Sequence, residues 1–428
     1  MTTEELYTFF KEHPVISTDS RQIPAGALFF ALKGEHFDGN EFAGYALEKG
    51  ASYAIIDDSR FLVNNRCILV ENVLVSLQQL ARYHRKQFQV PVLAITGSNG
   101  KTTTKELTYA ILIKKFKVIA TTGNLNNHIG VPITLLNINP ETEIVIVEMG
   151  ANHGGEIDAL CRIAEPTHGI ITNIGRAHLE GFGGFEGVIN TKTELYRFLK
   201  EQNGIAFVNT TNQSLVNHAE GMKIIAYDPE KLSYPPTELS ENPYLNMEFT
   251  IHGQLMTLST KLFGTYNAEN ILAAVCIGNY FGVKNAQIKE AVESYTPQNN
   301  RSQVLQTEFN FLILDMYNAN PSSMEPALIN FSGSSHNRKV LILGDMLELG
   351  NESDTEHLHI LELLKKLGFK EVFLVGPEFT RLNTKREWLC FQDVELAHLW
   401  LDHHRVTEAE ILLKGSRGIK LEKLMDLL

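Results

Sequence analysis

Apolar and polar positions alternate along this chain in two rhythms. Short, nearly continuous apolar runs fall at Ala27–Leu32, Tyr53–Ile56, Val90–Thr96, Ile144–Val147, Gly169–Thr172, Phe311–Leu314, Val340–Leu343, Val372–Val375 and Ile411–Leu413. Runs of that length without polar alternation read as strands buried on both faces. Between them lie stretches of helical period. One covers about Thr103 to Lys114, and another covers Gly187–Lys200, with an apolar stripe at Val188, Leu195 and Leu199. Strands that alternate with helices predict βαβ units and mostly parallel sheets.

The polar, proline-bearing stretch Tyr295–Asn300 separates a second α/β region from a third. The fold class is therefore α/β with three domains. Residues 1–85 form a small N-terminal α/β domain. Residues 86–296 form a central P-loop ATPase-like domain with a mostly parallel sheet, and residues 297–428 a C-terminal Rossmann-like α/β domain. Hinges are expected near 86–90 and 296–301.

Composition adds exclusions. The 428 residues are 43% hydrophobic and 21% charged, an ordinary globular mix. Fifty acidic against 38 basic residues give a net charge of −12, which argues against a nucleic-acid partner but leaves room for a local basic pocket. No apolar run approaches the length of a membrane span. The acidic start Met1–Glu5 does not read as a signal peptide. The four cysteines contain no C-x-x-C pair and read as inert thiols in a reducing compartment. The expectation is a cytoplasmic monomer.

One candidate site stands out. The strand Val90–Thr96 runs into Gly97-Ser98-Asn99-Gly100-Lys101-Thr102-Thr103, and a helix follows. A Gly-rich turn points backbone N–H groups at phosphate oxygens, and the helix N-terminus adds partial positive charge. Lys101 supplies a full charge, and the Thr102 hydroxyl can ligate Mg²⁺. Ile95 stands at the first glycine of the usual G-x-x-x-x-G-K-[ST] spacing, so this is a compact variant. The loop implies ATP with magnesium.

Other strand ends carry polar side chains, and ligands bind at the carboxyl ends of parallel strands. Glu148 can hold a cation or cap a loop. His178 can be functional or structural. Asp315 heads another polar cluster. Arg301 in the linker can reach a phosphate or lie in solvent, and Lys414–Gly418 places two cations beside a turn. Lys192 falls on the apolar stripe of Gly187–Lys200. An inward lysine either snorkels or loses its proton, and a neutral amine can take up CO₂ as a carbamate ligand for Mg²⁺.

Together these segments resemble the Mur ligases, ATP-dependent amino-acid and peptide ligases of bacterial cell-wall synthesis. TGSNGKTTTK at 96–105 resembles the family ATP loop. VEMGANHGGEI at 147–157 and NIGRAHLEGF at 173–182 resemble its two metal-site segments. STDSR at 17–21 resembles the UDP-sugar segment, which implies that 1–85 is a UDP-sugar substrate domain, and TGNLNNHIGVP at 122–132 resembles a segment contacting the muramoyl-peptide. DMYNANP at 315–321 and GDMLELG at 344–350 point to the member that adds D-Ala-D-Ala. The D-N-P-R motif of the sister enzyme and the D-G-A-H-N-P of folylpolyglutamate synthases are not found.

The resemblance implies Lys101, Lys192, His178 and Glu148 as catalytic residues. It implies a magnesium set of Thr102, Glu148, His178 and a carbamylated Lys192. ATP contacts would come from Gly97–Thr103, Asn270, Arg301, Asp315 and Tyr317. Substrate contacts would come from Ser20, Arg21, Asn124, Asn126, Asn127, His128, Asn318, Asn320 and Arg417. Tyr266 stands where histidine is common in the family. The implied substrates are UDP-N-acetylmuramoyl-tripeptide and D-Ala-D-Ala, joined through an acyl phosphate in peptidoglycan precursor synthesis. Another ligase of the superfamily, or a nucleotide-binding switch that forms no bond, remain as alternatives.

Overall fold

The computed structural model describes residues 1–234, 244–251, 253–298, 300–385 and 387–428. Asn299 of the polar linker lies outside them.

Three sheets of four or more strands follow one another among the described residues. The first has four parallel strands in chain order, Ile16–Ser17, Leu28–Phe30, Tyr53–Ile56 and Cys67–Leu69. The second has six parallel strands in the order Lys223–Tyr227, Ile205–Asn209, His168–Ile171, Val92–Thr96, Ile144–Glu148 and Val118–Ala120. The third also has six strands, and only its edge strand Gln303–Gln306 runs antiparallel, against Asn310–Asp315. Every residue of Val92–Thr96 and Ile144–Glu148 is buried, as two-sided cover by helices requires.

In the second sheet, Val92–Thr96 has Ile144–Glu148 on one side and His168–Ile171 on the other, with Ile95 level with Glu148 and Thr96 with Ile171. The chain changes direction across the sheet here. The ends of the three strands flank one crevice, the usual place for a ligand in an open α/β sheet.

Two expectations need correction. Gly187–Lys200 is not one helix. It divides into Phe185–Lys192 and Glu194–Glu201. Between them the Thr193 hydroxyl donates to the carbonyls of Ile189 (2.9 Å) and Asn190 (3.2 Å), a back-bond that competes with the helical ladder. The apolar stripe itself is present: Val188, Leu195 and Leu199 are fully buried, and Lys192 lies with them at 1% exposure. An antiparallel hairpin, Tyr244–Ile251 with Gln254–Phe263, also has no counterpart in the sequence reading. Its alternate residues Met247, Phe249, Leu258 and Leu262 pack with Ile271 and Val275 of the helix Asn267–Tyr280 and with Leu107 and Ile111 of the helix after the phosphate loop.

The segment 86–90, expected to hinge, is anchored from one end. Arg85 closes the helix Val73–Arg85 and is 7% exposed. Its guanidinium donates to the carbonyls of Phe88 (2.7 Å), Val90 (3.1 Å) and Ala164 (3.2 Å). The last of these belongs to the helix Glu156–Ala164 beside the second sheet. Arg85→Ala leaves three carbonyls without this donor, and we expect a loss of about 2–4 kcal/mol of stability. Urea unfolding followed by tryptophan fluorescence and circular dichroism checks this; a midpoint equal to wild type would show that the anchor contributes nothing.

Candidate active site

The phosphate loop leaves the buried strand through Gly97 (φ 140°) and enters the helix Lys101–Leu112 through Gly100 (φ 77°). Both glycines are required by space as well as by φ. A Cβ on Gly97 would meet Thr172 Oγ1 at 2.1 Å, and one on Gly100 would meet Asn270 Oδ1 at 2.2 Å. The neighbouring strand end holds the loop open. Ser98 N donates to Asn173 O, and Asn99 N to Asn173 Oδ1. The Thr172 hydroxyl and Asn173 Nδ2 both donate to Asn99 O, at 2.6 and 3.1 Å. Asn173 is thus a loop-shaping residue that sequence reasoning missed, although it opens the NIGRAHLEGF segment.

The loop lines a cavity of about 700 Å³ together with residues of the second and third sheets. Among the expected residues, Ser98–Thr103, Asn124, Asn126, Asn127, His128, Glu148, His178, Asn270, Arg301, Asp315, Tyr317, Asn318 and Asn320 all line it. Others do not. Gly97 lies behind the loop against Thr172. Ser20 and Arg21 lie in the turn after the first strand, away from the cavity, with Arg21 clamped to Asp19 at 2.7 Å. Arg417 stands outside it, with its guanidinium 5.2 Å from the Tyr317 ring. Arg301 covers that ring at 3.5 Å, so Tyr317 meets two cations.

Glu148 ends its strand at 1% exposure. Its Oε1 accepts from Asn126 Nδ2 (2.8 Å) and the Thr102 hydroxyl (3.2 Å). Its Oε2 is buried without a hydrogen-bond partner, and Lys105 Nζ stands 3.9 Å away. Lys105, another missed residue, donates to Thr121 O at 2.9 Å. Lys101 curls back to the carbonyls of Gly97 (2.7 Å) and Ser98 (3.0 Å). Burial lowers its pKa to about 8, Glu148 opposes that, and Arg301 adds to it.

Lys192 is inward but does not line the cavity. Its ammonium lies 5.0 Å from the centre of the Phe182 ring. No carboxylate stands within ion-pairing distance of it among the described residues. Burial, and then the charge of Lys101, lower its pKa to about 7, against the weaker pull of Glu156 and Glu194. This is a lysine able to carry a neutral amine near neutrality.

His178 has a left-handed backbone (φ 54°) and sets its Nδ1 2.5 Å from Glu348 Oε2 of the third unit. Glu348 lies in the GDMLELG segment, but no short-range pattern in the sequence links it to His178. Asn320 caps the helix Pro321–Ser332 and donates to Asn99 Oδ1 of the phosphate loop at 2.8 Å. Lys414 corrects another expectation. It is not a free cation beside a turn but the buried last residue of its strand, paired with Asp315 on the adjacent strand. Asn270 accepts from Thr104 and donates to Asn267, which braces the loop from the helix beneath. Tyr266, half-buried and close to Asp315, has its phenol pushed well above its ordinary pKa by desolvation and donates to or accepts from Ser302.

No three His, Cys, Asp or Glu side chains converge as a metal cage among the described residues. What the geometry defines is a phosphate-loop site facing a third α/β unit across a shared cavity, with Lys101 and Lys105 beside one buried carboxylate. Residues 14–93 match the Mur ligase family catalytic domain, 95–278 the Mur ligase middle domain, and 300–416 the Mur ligase glutamate ligase domain. The chain belongs to the Mur ligase family. The UDP-N-acetylmuramoyl-tripeptide–D-alanyl-D-alanine ligase of Bacillus subtilis (strain 168) is 33% identical over 422 residues, covering 96% of this chain and 92% of that one. A crystal structure of MurF from Acinetobacter baumannii superposes with a TM-score of 0.86 at 32% identity, over 96% of this chain and 92% of that one. The MurF ligase of Thermotoga maritima in complex with ADP gives 0.85 at 28% identity, over 96% of both chains.

Two measurements test the site's physics. Gly100→Ala adds strain and a clash with Asn270, and we expect ADP affinity to fall about tenfold or more by isothermal titration; unchanged affinity would show that the loop tolerates a Cβ. The second concerns Lys192, whose folded pKa lies below its unfolded one. Below pH 7 the ammonium is charged in both states and its burial cost is full. Between 7 and the unfolded value the unfolded state holds more protons, so stability rises with pH. In CO₂-free buffer, Lys192→Met should therefore be more stable than wild type at pH 6.5, by a gap that narrows towards pH 10. A gap independent of pH would show that Lys192 is not buried as an ammonium.

Proposed function

We infer that this chain is an ATP-dependent ligase that joins D-Ala-D-Ala to the carboxylate of UDP-N-acetylmuramoyl-tripeptide, releasing ADP and phosphate, in peptidoglycan precursor assembly. The observation that carries this reading is the shared cavity: the phosphate loop and Glu148 face Asn318, Tyr317 and Asp315 of the DMYNANP segment across it. The tripeptide carboxylate attacks the γ-phosphate of ATP, and the bond to the bridging oxygen of ADP breaks. An acyl phosphate forms. The dipeptide amine then attacks the acyl carbon, loses a proton, and phosphate leaves. A carboxylate approaching a polyphosphate meets like charge, and Lys101 and Arg301 supply positive charge where the two meet. An acyl phosphate hydrolyses in water, and a cavity walled by two units excludes water until the amine arrives.

The residues present fit magnesium. Glu148 Oε2 is a buried hard oxygen without a partner, and the Thr102 hydroxyl is beside the same carboxylate. Magnesium is commonly held by one or two carboxylates plus substrate phosphates, so no protein-only cage is needed. In this reading Thr102, Glu148, His178 and a carbamylated Lys192 hold it. Bound there, magnesium would neutralise phosphate charge. Gly97–Thr103, Asn270, Arg301, Asp315 and Tyr317 hold ATP. Ser20 and Arg21 serve the UDP moiety. Asn124, Asn126, Asn127 and His128 serve the muramoyl-peptide, and Asn318, Asn320 and Arg417 the dipeptide. The functional units are 1–85, 86–296 and 297–428, working as a monomer in the cytoplasm, with 296–301 as the hinge of closure.

Mass spectrometry of the product from UDP-N-acetylmuramoyl-tripeptide, D-Ala-D-Ala and ATP tests this. A pentapeptide product is expected. Extension by single amino acids in preference to the dipeptide, or ATP binding without product, would overturn it. Lys192→Ala should abolish ligation, with partial return on adding short carboxylic acids; full activity in that variant would remove the carbamate.

A further inference from the structure

A segment of the second unit docks against the third beside the cavity. Arg176 pairs with Glu356, and Glu180 N donates to Glu348 O at 3.3 Å. Gly350 sits so close that an added Cβ would lie 3.1 Å from Glu180 Cβ. Between these contacts the Glu348 carboxylate reaches His178 Nδ1 at 2.5 Å. Both residues hold left-handed backbones, φ 54° for His178 and 64° for Glu348. Such conformations are costly for non-glycine residues and persist where surrounding structure fixes them. The chain here is shaped to bring one ring nitrogen to one carboxylate across the two units.

We propose that Glu348 is a positioning residue. It reaches from the third unit to keep the proton of His178 on Nδ1, so that docking of the units leaves Nε2 with its lone pair for a cation. A ring nitrogen beside a carboxylate bears the proton, and the other is then the ligand atom. The carboxylate lies off the N–H direction, so the pair is a close contact and not an aligned hydrogen bond. The Phe182 ring stands edge-on to His178 at 6.2 Å and 90°, and its face carries the Lys192 ammonium. It limits how the imidazole can turn and ties its orientation to the place of Lys192. Glu348 is half exposed, so its substitution removes a charge without opening the core. That His178 serves a cation rests on the ligase reading above; the docking geometry and the proton position do not.

The test uses the full-length protein with ¹⁵N-labelled histidine, in ADP and magnesium chloride, with the His178 signal assigned by its loss in His178→Gln. Ring-nitrogen shifts separate the two tautomers and need no turnover, so they remain readable if the ligase reading fails. Wild type should show Nδ1 protonated. Glu348→Gln keeps the size but not the charge and should mix the tautomers. Glu356→Gln removes the neighbouring contact and should leave the ring pattern of His178 in place. If ligation is measurable, Glu348→Gln should lower kcat by about 10–100-fold, as loss of a partner behind a metal ligand does, with KM for ATP nearly unchanged. A His178 ring pattern in Glu348→Gln identical to wild type would overturn the proposal, as would one disturbed equally by Glu356→Gln.

Discussion

The site depends on one imbalance: three inward lysines lie around the phosphate loop, and none has a close carboxylate partner of its own. Lys101 and Lys105 stand beside Glu148, while Lys192 faces the charge of Lys101 with only the weaker pull of Glu156 and Glu194. Burying charge without a full partner is costly. Each lysine accepts a weaker partner instead. Lys101 takes its own loop carbonyls, Lys105 takes Thr121 O, and Lys192 takes an aromatic face. An anionic ligand relieves that imbalance. This is how a chain of net charge −12 builds a pocket for polyphosphate: the overall charge is carried elsewhere, and local geometry sets the sign of the potential.

The same constraint explains why the cavity needs two units. The second unit alone supplies the loop and Glu148. The third adds the cation-covered Tyr317 ring and the Asp315–Lys414 pair, and Asn320 touches Asn99 of the loop itself. A change in loop conformation is therefore felt at the N-terminus of the helix Pro321–Ser332, which Asn320 caps. The contact is a direct hydrogen bond between two side-chain amides, and it ties the phosphate loop to the third unit.

Much of this was legible in the sequence, for physical reasons. Strands covered on both faces must be continuously apolar, so the central strands could be placed, and the polar residue ending such a run has to face the crevice. Glu148 and Asp315 were found that way. Lys192 stood out because a charge on an apolar stripe violates the pattern. The hairpin Tyr244–Ile251 and Gln254–Phe263 was legible but unread: its period-two alternation packs on helices instead of extending the parallel sheet. Other features were beyond short-range pattern. His178 and Glu348 are brought together by the docking of two units, and the pairing of Lys414 depends on which strand lies beside Asn310–Asp315. Ser20 and Arg21 lie away from the cavity, so their role was reached through resemblance and not through geometry.

The break at Thr193 shows how a small local departure serves the site. Lys192 and Glu194 are buried and only two residues apart, and a continuous helix would carry both charges on through one regular stretch. Instead the chain ends one helix at Lys192 and begins another at Glu194. Glu194 then turns to the start of the helix Glu156–Ala164, where its two oxygens accept from Gly155 N (2.7 Å) and Asp158 N (2.8 Å). Its charge is satisfied by orphan donors at a helix N-terminus. Lys192 is left against Phe182 with no paired anion. Had Glu194 closed on Lys192, the pair would have held the ammonium charged and inert. Directing the carboxylate to a helix end keeps the amine unpaired and its pKa low, the condition under which it can react.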